Sequence, residues 1–190
     1  DITQYTPSPI NLKGKIRSLI GSSHEKGIDV LLLLRDRGFS EEFPPYVEDA
    51  VEKLELDVEK ELPDRYDLRN LPTATIDPET AKDFDDALSI EPIYEGKDKS
   101  RLKGWKLFIH IADVTHYVKH EDLIDDVAVE RSTSVYPVDR VVPMLPERLC
   151  NDLCSLKPHV DRLAVTAEMV VSKSGKVSKE RFHPSVIHSD

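Results

Sequence analysis

The sequence lacks the features that mark several broad classes of protein. Two cysteines among 190 residues are too few for a disulfide framework. The longest aliphatic run covers residues 30–34, far short of the ~20 residues that a membrane-spanning helix needs. Positive charge is also scarce, since 26 Lys and Arg stand against 36 Asp and Glu for a net charge of -10. This balance argues against a general nucleic-acid coat, whose surface is normally basic, but it leaves open an enzyme that holds nucleic acid through metal ions.

The composition supports a globular protein. With 39% hydrophobic and 33% charged residues, the chain can bury a core beneath a well-solvated surface, which excludes a disordered acidic tail. Its length permits one ordinary domain, or a small domain with an appendage. Cys150 and Cys154 are interpreted as reduced thiols on one helix face, and no signal peptide is visible. We therefore expect a cytoplasmic protein with no membrane partner. Because the chain begins at Asp1 rather than Met, we also expect it to be a piece of something longer.

Local patterns predict little regular structure before residue 45. Residues 1–12 are expected to form an extended tail and residues 14–20 one short strand. The apolar run over residues 28–37, ended by Gly38, fits a strand or a helix equally well.

Clearer patterns follow. Apolar residues recur at spacings of three and four behind Pro44 and Pro45, which predicts a helix over residues 45–60. A compact region that mixes strands and helices begins near residue 62. In it, alternation places Trp105 and Ile111 on the same side of a strand. The predicted strands cover residues 105–111, 163–171 and 176–182, and the predicted helices cover residues 122–131 and 147–153.

The most informative stretch holds four aspartates, Asp77, Asp83, Asp85 and Asp86, between apolar neighbours. Two like charges ~4 Å apart repel by ~1 kcal/mol in water and ~4 kcal/mol at an effective dielectric constant of 20. If the four carboxylates come together, either some of them hold protons or a divalent ion lies among them. Ligands that are all oxygen favour Mg²⁺ or Mn²⁺ over zinc, and such ions assist phosphodiester cleavage.

Two other interpretations of this stretch stay open: an exposed acidic loop, and a loop that binds calcium. The EF-hand pattern fails, because counting from Asp77 places Lys82 where the motif needs Gly and Leu88 where it needs Glu. The histidines at 110, 116 and 120 match no zinc pattern. Ser134 and Ser155 have no evident His and Asp partners for a hydrolase triad.

The aspartates and several further blocks resemble the RNB catalytic domain of the ribonuclease II / ribonuclease R family, with the ribonuclease R branch the closer. The blocks occur in the family's order. They are Asp67–Arg69, Thr75–Pro78, Ala81–Ala87, His110–Val114, Arg131–Tyr136, Val142–Glu147 and Leu153–Leu156.

The resemblance implies a processive 3′-to-5′ exoribonuclease that hydrolyses single-stranded RNA with Mg²⁺ or Mn²⁺ and releases nucleoside 5′-monophosphates. It implies metal binding by the four aspartates, and stacking of Tyr136 near the 3′-terminal nucleotide. The implied fold is α+β, with a mixed, largely antiparallel sheet and flanking helices, preceded by a helical linker.

The resemblance also implies a division of the chain into three parts. Residues 1–20 would be the tail of a cold-shock (OB-type) domain, residues 21–61 a linker, and residues 62–190 the N-terminal part of the RNB domain. The rest of that domain is absent, so we expect the isolated chain to be inactive. The alternative is an RNB-like module that binds RNA or a protein without cleaving.

Overall fold

The chain folds into two compact units. The computed structural model describes three stretches, residues 1–7, 10–96 and 101–190. Unit 1 comprises residues 1–41 and 135–142, and unit 2 comprises residues 42–134 and 143–190. None of the helices in the described stretches has the length and apolar character needed to cross a bilayer.

Unit 1 begins with a β-hairpin, which corrects two predictions. Strands β1 (Ile2–Pro7) and β2 (Ile10–Gly14) pair antiparallel, so the segment predicted as an extended tail is a paired structure; its residues 8 and 9 lie outside the described stretches. The strand predicted over residues 14–20 is wrong, because only Gly14 belongs to a strand. Ile16 and Leu19 are 87% and 90% exposed, so their apolar character reflects no buried strand face.

The ambiguous apolar run in unit 1 is helix α1 (Ile28–Asp36). Gly38 ends the helix in the left-handed conformation, with φ at +81°. Its amide donates to the carbonyl of Arg35 at 3.1 Å, and the Phe39 amide donates to Leu34 at 2.9 Å. These bonds satisfy carbonyls that the last helical turn would otherwise leave free.

The helix predicted over residues 45–60 is wrong in its length. The structure has two short helices instead, α2 (Pro45–Val51) and α3 (Val58–Glu61). The apolar stripe itself is confirmed, because Val47 and Val51 are fully buried.

Two side chains account for the break between α2 and α3. Arg148 donates to the carbonyl of Val51 at 3.2 Å and to that of Leu54 at 2.7 Å, so groups that a longer helix would pair internally are satisfied from another part of the chain. The Asp57 carboxylate accepts from the Lys60 amide at 3.2 Å. It therefore caps a new helix instead of continuing the old one.

Unit 2 is built on a six-stranded sheet with the order β3-β8-β7-β6-β5-β4. Only the pairing of β3 with β8 is parallel, and the other neighbours are antiparallel. The predicted α+β fold with a mixed, largely antiparallel sheet is therefore confirmed. The strands are β3 (Tyr66–Asp67), β4 (Thr73–Ala74), β5 (Asp86–Glu95), β6 (Arg101–Ala112), β7 (Asp161–Ser172) and β8 (Val177–His188).

Short helices pack against this sheet and complete the core. They are α4 (Val114–Tyr117), α5 (Leu123–Arg131), a 3₁₀ turn (Leu62–Asp64) and a π-helical turn (Leu149–Leu153). The main cluster joins Val47 and Val51 of α2 to Leu149 and Leu156, and to Ala164 of the sheet. Strand β6 buries Phe108 and His110, while Ile111 on the other side is 48% exposed. The apolar side predicted for this strand is thus not its most buried side.

Candidate active site

The aspartate loop, residues 75–85, connects β4 to β5. All of it is described, and it forms no helix or strand; β5 begins at Asp86. Asp77, Asp85 and Asp86 are exposed and Asp83 is half-buried. The apolar residues on the two sides of the acids were expected to be buried, and this is true on one side only. Ala87 is fully buried, whereas Ile76 is 85% exposed.

Backbone hydrogen bonds fix the second half of the loop. The Ala112 amide, at the end of β6, donates to the carbonyl of Asp85 at 2.9 Å. The Leu156 amide donates to the carbonyl of Phe84, also at 2.9 Å. Two separate elements therefore hold the backbone between Asp83 and Asp86, although the loop has no regular structure of its own.

The carboxylates of the loop interact electrostatically. Partial desolvation, and after it the negative charges of Asp83, Asp86 and Asp77, raise the pKa of Asp85 above its ordinary value. Asp85 is exposed as a residue, so solvent screens these interactions. Asp85 lies near enough to the other three acids to be repelled by them, which is the condition that a cation would relieve.

The donor set suits a hard divalent cation by its chemistry, since all of its ligand atoms are carboxylate oxygens. The structure does not, however, bring a complete set of ligands together. Within the described residues, no three His, Cys, Asp or Glu side chains lie close enough to one another to hold a metal ion. The aspartates would have to converge further on binding one.

Two thiols lie near the aspartates, and both are unreactive. Burial, with a smaller contribution from the charge of Asp83, raises the pKa of Cys150 to about 11. Burial also raises the pKa of Cys154 to about 12, with Cys150 and Asp85 adding to the effect. Both cysteines are free and protonated at neutral pH, so neither is an activated nucleophile.

His110 has a structural environment. It is fully buried, and its ring nitrogens lie 3.0 Å from the Ser89 hydroxyl and 2.8 Å from the Thr166 hydroxyl. Burial, and secondarily the charge of His183, lowers the pKa of His110 to about 4. The ring is therefore neutral, with one nitrogen donating and the other accepting.

The hydroxyls around His110 extend into a continuous polar lane across five strands of the sheet. Thr73 contacts Ser89 at 2.7 Å, and Thr166 contacts Ser185 on the other side of the imidazole. All members are buried. The polar lane consists of Thr73, Ser89, His110, Thr166 and Ser185.

Asp113 follows β6 directly and forms a buried ion pair with Arg65 at 2.7 Å, both side chains being less than 10% exposed. Thr115 donates to the same carboxylate at 2.8 Å. Although burial opposes them, the bonds from Thr115 and Arg65 hold the pKa of Asp113 below its ordinary value. This ion pair fixes the end of β6, the element that holds the Asp85 carbonyl.

Tyr136 belongs to unit 1, whereas the four aspartates belong to unit 2. The neighbouring Val135 and Val142 exchange two backbone hydrogen bonds of 2.8 Å, which form a small bridge. The Tyr136 side chain is 64% exposed. It lines an apolar groove of about 320 Å³ together with Leu33 and Leu34 of α1.

The structure shows contacts of Ser155 that the sequence did not indicate. Ser155 was considered only as a nucleophile, yet it is fully buried against the aspartate loop. The signal available in the sequence was its place in the Leu153–Leu156 block, one of the stretches that carried the family resemblance.

Comparison with known proteins agrees with the fold. The sequence model of the RNB-domain family matches residues 65–190, so the chain belongs to that family. Ribonuclease R of Vibrio parahaemolyticus is 39% identical over 194 residues, an alignment that covers all of this chain and 22% of the relative. The predicted resemblance, including its closeness to the ribonuclease R branch, is confirmed.

Two solved structures extend the comparison. Mycoplasma genitalium RNase R in complex with ribose-methylated single-stranded RNA superposes with a TM-score of 0.86 at 32% identity, covering all of this chain and 28% of that one. Yeast Ssd1, described as a pseudonuclease, superposes with a TM-score of 0.70 at 18% identity, covering 100% of this chain and 23% of that one; it shares the fold. The chain thus spans about a fifth of the length of the curated relative it matches.

Proposed function

We propose that this chain is part of a 3′-to-5′ exoribonuclease that hydrolyses single-stranded RNA from its 3′ end. The observation that carries the proposal is the RNB-domain match over residues 65–190, within which Asp77, Asp83 and Asp86 lie close enough to Asp85 for their charges to act on it. Similarity to ribonuclease R over the whole chain supports the same activity. We further propose that the enzyme is processive, releases nucleoside 5′-monophosphates and acts in the cytoplasm, where free thiols such as Cys150 and Cys154 stay reduced.

Each candidate residue has a role in this proposal. Asp77, Asp83, Asp85 and Asp86 hold Mg²⁺, for which Mn²⁺ can substitute. When bound, the ion activates water and stabilises the leaving oxygen of a phosphodiester. The four aspartates would hold this ion, and the backbone bonds from Ala112 and Leu156 keep their loop in place.

Tyr136 is proposed to stack on a base near the 3′ end. Its exposed ring supports this role, and stacking is worth ~1–3 kcal/mol without depending on the identity of the base. The proposed organisation is that of the sequence prediction: a cold-shock tail over residues 1–20, a linker over residues 21–61 and the RNB part over residues 62–190.

The test uses the complete gene product and single-stranded RNA labelled at its 3′ end. Asp86→Asn keeps the side-chain shape but removes a charged ligand, so the rate of mononucleotide release should fall on the order of 10³-fold. Asp126→Asn is the matched control, because Asp126 is exposed on α5 and should leave the rate unchanged. Undiminished release by Asp86→Asn would defeat the catalytic role.

A second candidate is an RNB-like module that binds RNA or a protein without cleaving. It is favoured by one observation, that no three metal-binding side chains converge within the described residues. Titration with a short RNA, with and without Mg²⁺, separates the candidates. RNA affinity that does not depend on metal, together with no cleavage by the complete gene product, would support the module.

A further inference from the structure

The Ser155 hydroxyl holds the aspartate loop on both sides of Asp83. Ser155 is fully buried, and its Oγ donates to the carbonyl of Lys82 at 2.7 Å. The same oxygen accepts from the amide of Phe84 at 3.2 Å. One side chain therefore binds the peptide groups immediately before and after Asp83.

The next residue continues this attachment. The Leu156 amide donates to the carbonyl of Phe84 at 2.9 Å, so Ser155 and Leu156 together make three hydrogen bonds to residues 82–84. A loop without helix or strand has few such constraints of its own. These bonds therefore decide where the Asp83 backbone lies.

The backbone of Ser155 is itself held by a neighbouring side chain. Arg162, whose side chain is 12% exposed, donates from Nε to the Ser155 carbonyl at 2.9 Å. Its Nη2 also contacts the Asp152 carboxylate at 3.2 Å, which in turn accepts from Lys157 at 2.8 Å. The serine is thus a fixed point and not a mobile surface hydroxyl.

Mutual repulsion of the carboxylates tends to spread the loop, and the bonds from Ser155 oppose that spreading. We propose that Ser155 is a positioning residue, which restrains the backbone of Asp83 so that its carboxylate stays near the other aspartates and can converge with them on a divalent cation. The inference rests on the proposed function for the role of the aspartates. It goes further in assigning their placement to one buried hydroxyl outside the loop.

The test compares Ser155→Ala with Ser185→Ala in the complete gene product. Ser185 is also a fully buried serine that bonds a backbone carbonyl, that of Ala164 at 3.2 Å, but it contacts no part of the aspartate loop in the described structure. Three quantities are measured: Mn²⁺ affinity by titration, hydrogen exchange of the amides of residues 82–86, and the rate of RNA cleavage against Mn²⁺ concentration.

Ser155→Ala should weaken Mn²⁺ binding by about tenfold, as loss of an outer-shell partner commonly does. It should also speed exchange of the Phe84 amide, with cleavage largely restored at saturating Mn²⁺. Ser185→Ala should change neither Mn²⁺ affinity nor exchange in the loop. Arg162→Gln keeps the Ser155 hydroxyl but removes the hydrogen bond from Arg162 to the Ser155 carbonyl, so it should weaken Mn²⁺ binding by a smaller factor. This variant replaces Ser155→Ala in the test if Ser155→Ala does not fold.

Equal Mn²⁺ affinities in wild type and Ser155→Ala would overturn the inference, as would equal losses in Ser155→Ala and Ser185→Ala. The proposed function fails separately. If the wild type binds Mn²⁺ but releases no mononucleotides, RNA cleavage is refuted, while the Mn²⁺ titrations and hydrogen exchange still decide the role of Ser155. A wild type that binds no Mn²⁺, with or without RNA, refutes both.

Discussion

Unit 2 contains two clusters of polar side chains that differ in how their polarity is satisfied. In the polar lane, His110 is flanked by hydroxyls on both ring nitrogens, and every member is buried. In the aspartate loop, the acids are largely exposed, and partial desolvation together with the neighbouring negative charges raises the pKa of Asp85. The first cluster is complete within the chain, whereas the second has excess negative charge that only protons or a cation can balance.

This difference separates a structural cluster from a functional one. A buried network with every member bonded stabilises and specifies the fold. A cluster of like charges destabilises the fold, and it is retained where it serves a ligand or a reaction. Substitutions in the lane should therefore reduce stability, while substitutions in the loop should reduce activity without reducing stability.

The largest effect on stability is expected from the centre of the lane. His110→Ala removes a fully buried ring, and the Ser89 and Thr166 hydroxyls each lose one of their hydrogen bonds. We expect the free energy of unfolding to fall by about 3 kcal/mol, from the cavity and the lost hydrogen bonds together. Urea unfolding of the chain measures the loss.

His120→Ala is the matched control, because the His120 side chain is 88% exposed and its removal should change stability by less than about 0.5 kcal/mol. A similar, small change in both variants would contradict the view that the lane supports the sheet.

The lane also illustrates what sequence alone could not provide. Alternation in β6 correctly placed Trp105 and Ile111 on one side, but the most buried side is the polar one that contains His110. A histidine among apolar residues does not reveal its partners, since Ser89 and Thr166 come from neighbouring strands. Burial of the polar side depends on which parts of the chain pack over it, and that is a tertiary property.

The aspartate loop was more predictable, because its residues are close in sequence. Spacing and flanking blocks selected all four acids as candidate ligands, and the structure places Asp77, Asp83 and Asp86 near enough to act on Asp85. The contribution of Ser155 could not be predicted, since its bonds to Lys82 and Phe84 cross more than seventy residues. The overlong helix over residues 45–60 has the same kind of cause, because Arg148 reaches the carbonyls that end α2 from a distant part of the chain.

The second expected effect is a pH dependence that originates in the lane. The pKa of His110 is lowered from 6.5 to about 4 in the folded chain, so between these values the unfolded state binds more protons. Stability should rise with pH across this window, and it should be lost as the pH falls from 6.5 toward 4. At 1.36 kcal/mol for each pH unit, unfolding at pH 5 should require ~2 kcal/mol less than at pH 7 on account of this residue.

His110→Gln isolates that contribution, because glutamine offers hydrogen bonds but does not titrate. The difference between the unfolding free energies at pH 7 and pH 5 should be ~2 kcal/mol smaller in His110→Gln than in the wild type. Equal pH dependence in the two proteins would show that His110 does not titrate differently on folding.

The smallest effect is expected in the loop, and it has the opposite sign. Asp85 interacts unfavourably with Asp83, Asp86 and Asp77, and its raised pKa means that its ionised form weakens the fold as the pH rises through that value. Asp85→Asn without metal should therefore stabilise the chain, by only a few tenths of a kcal/mol because solvent screens an exposed carboxylate. The melting temperature should rise by about 1 °C at low salt and the gain should vanish at high salt, while Asp126→Asn should not produce it. A loss of stability in Asp85→Asn would mean that the aspartate supports the fold as His110 does, and the contrast between the two clusters would fail.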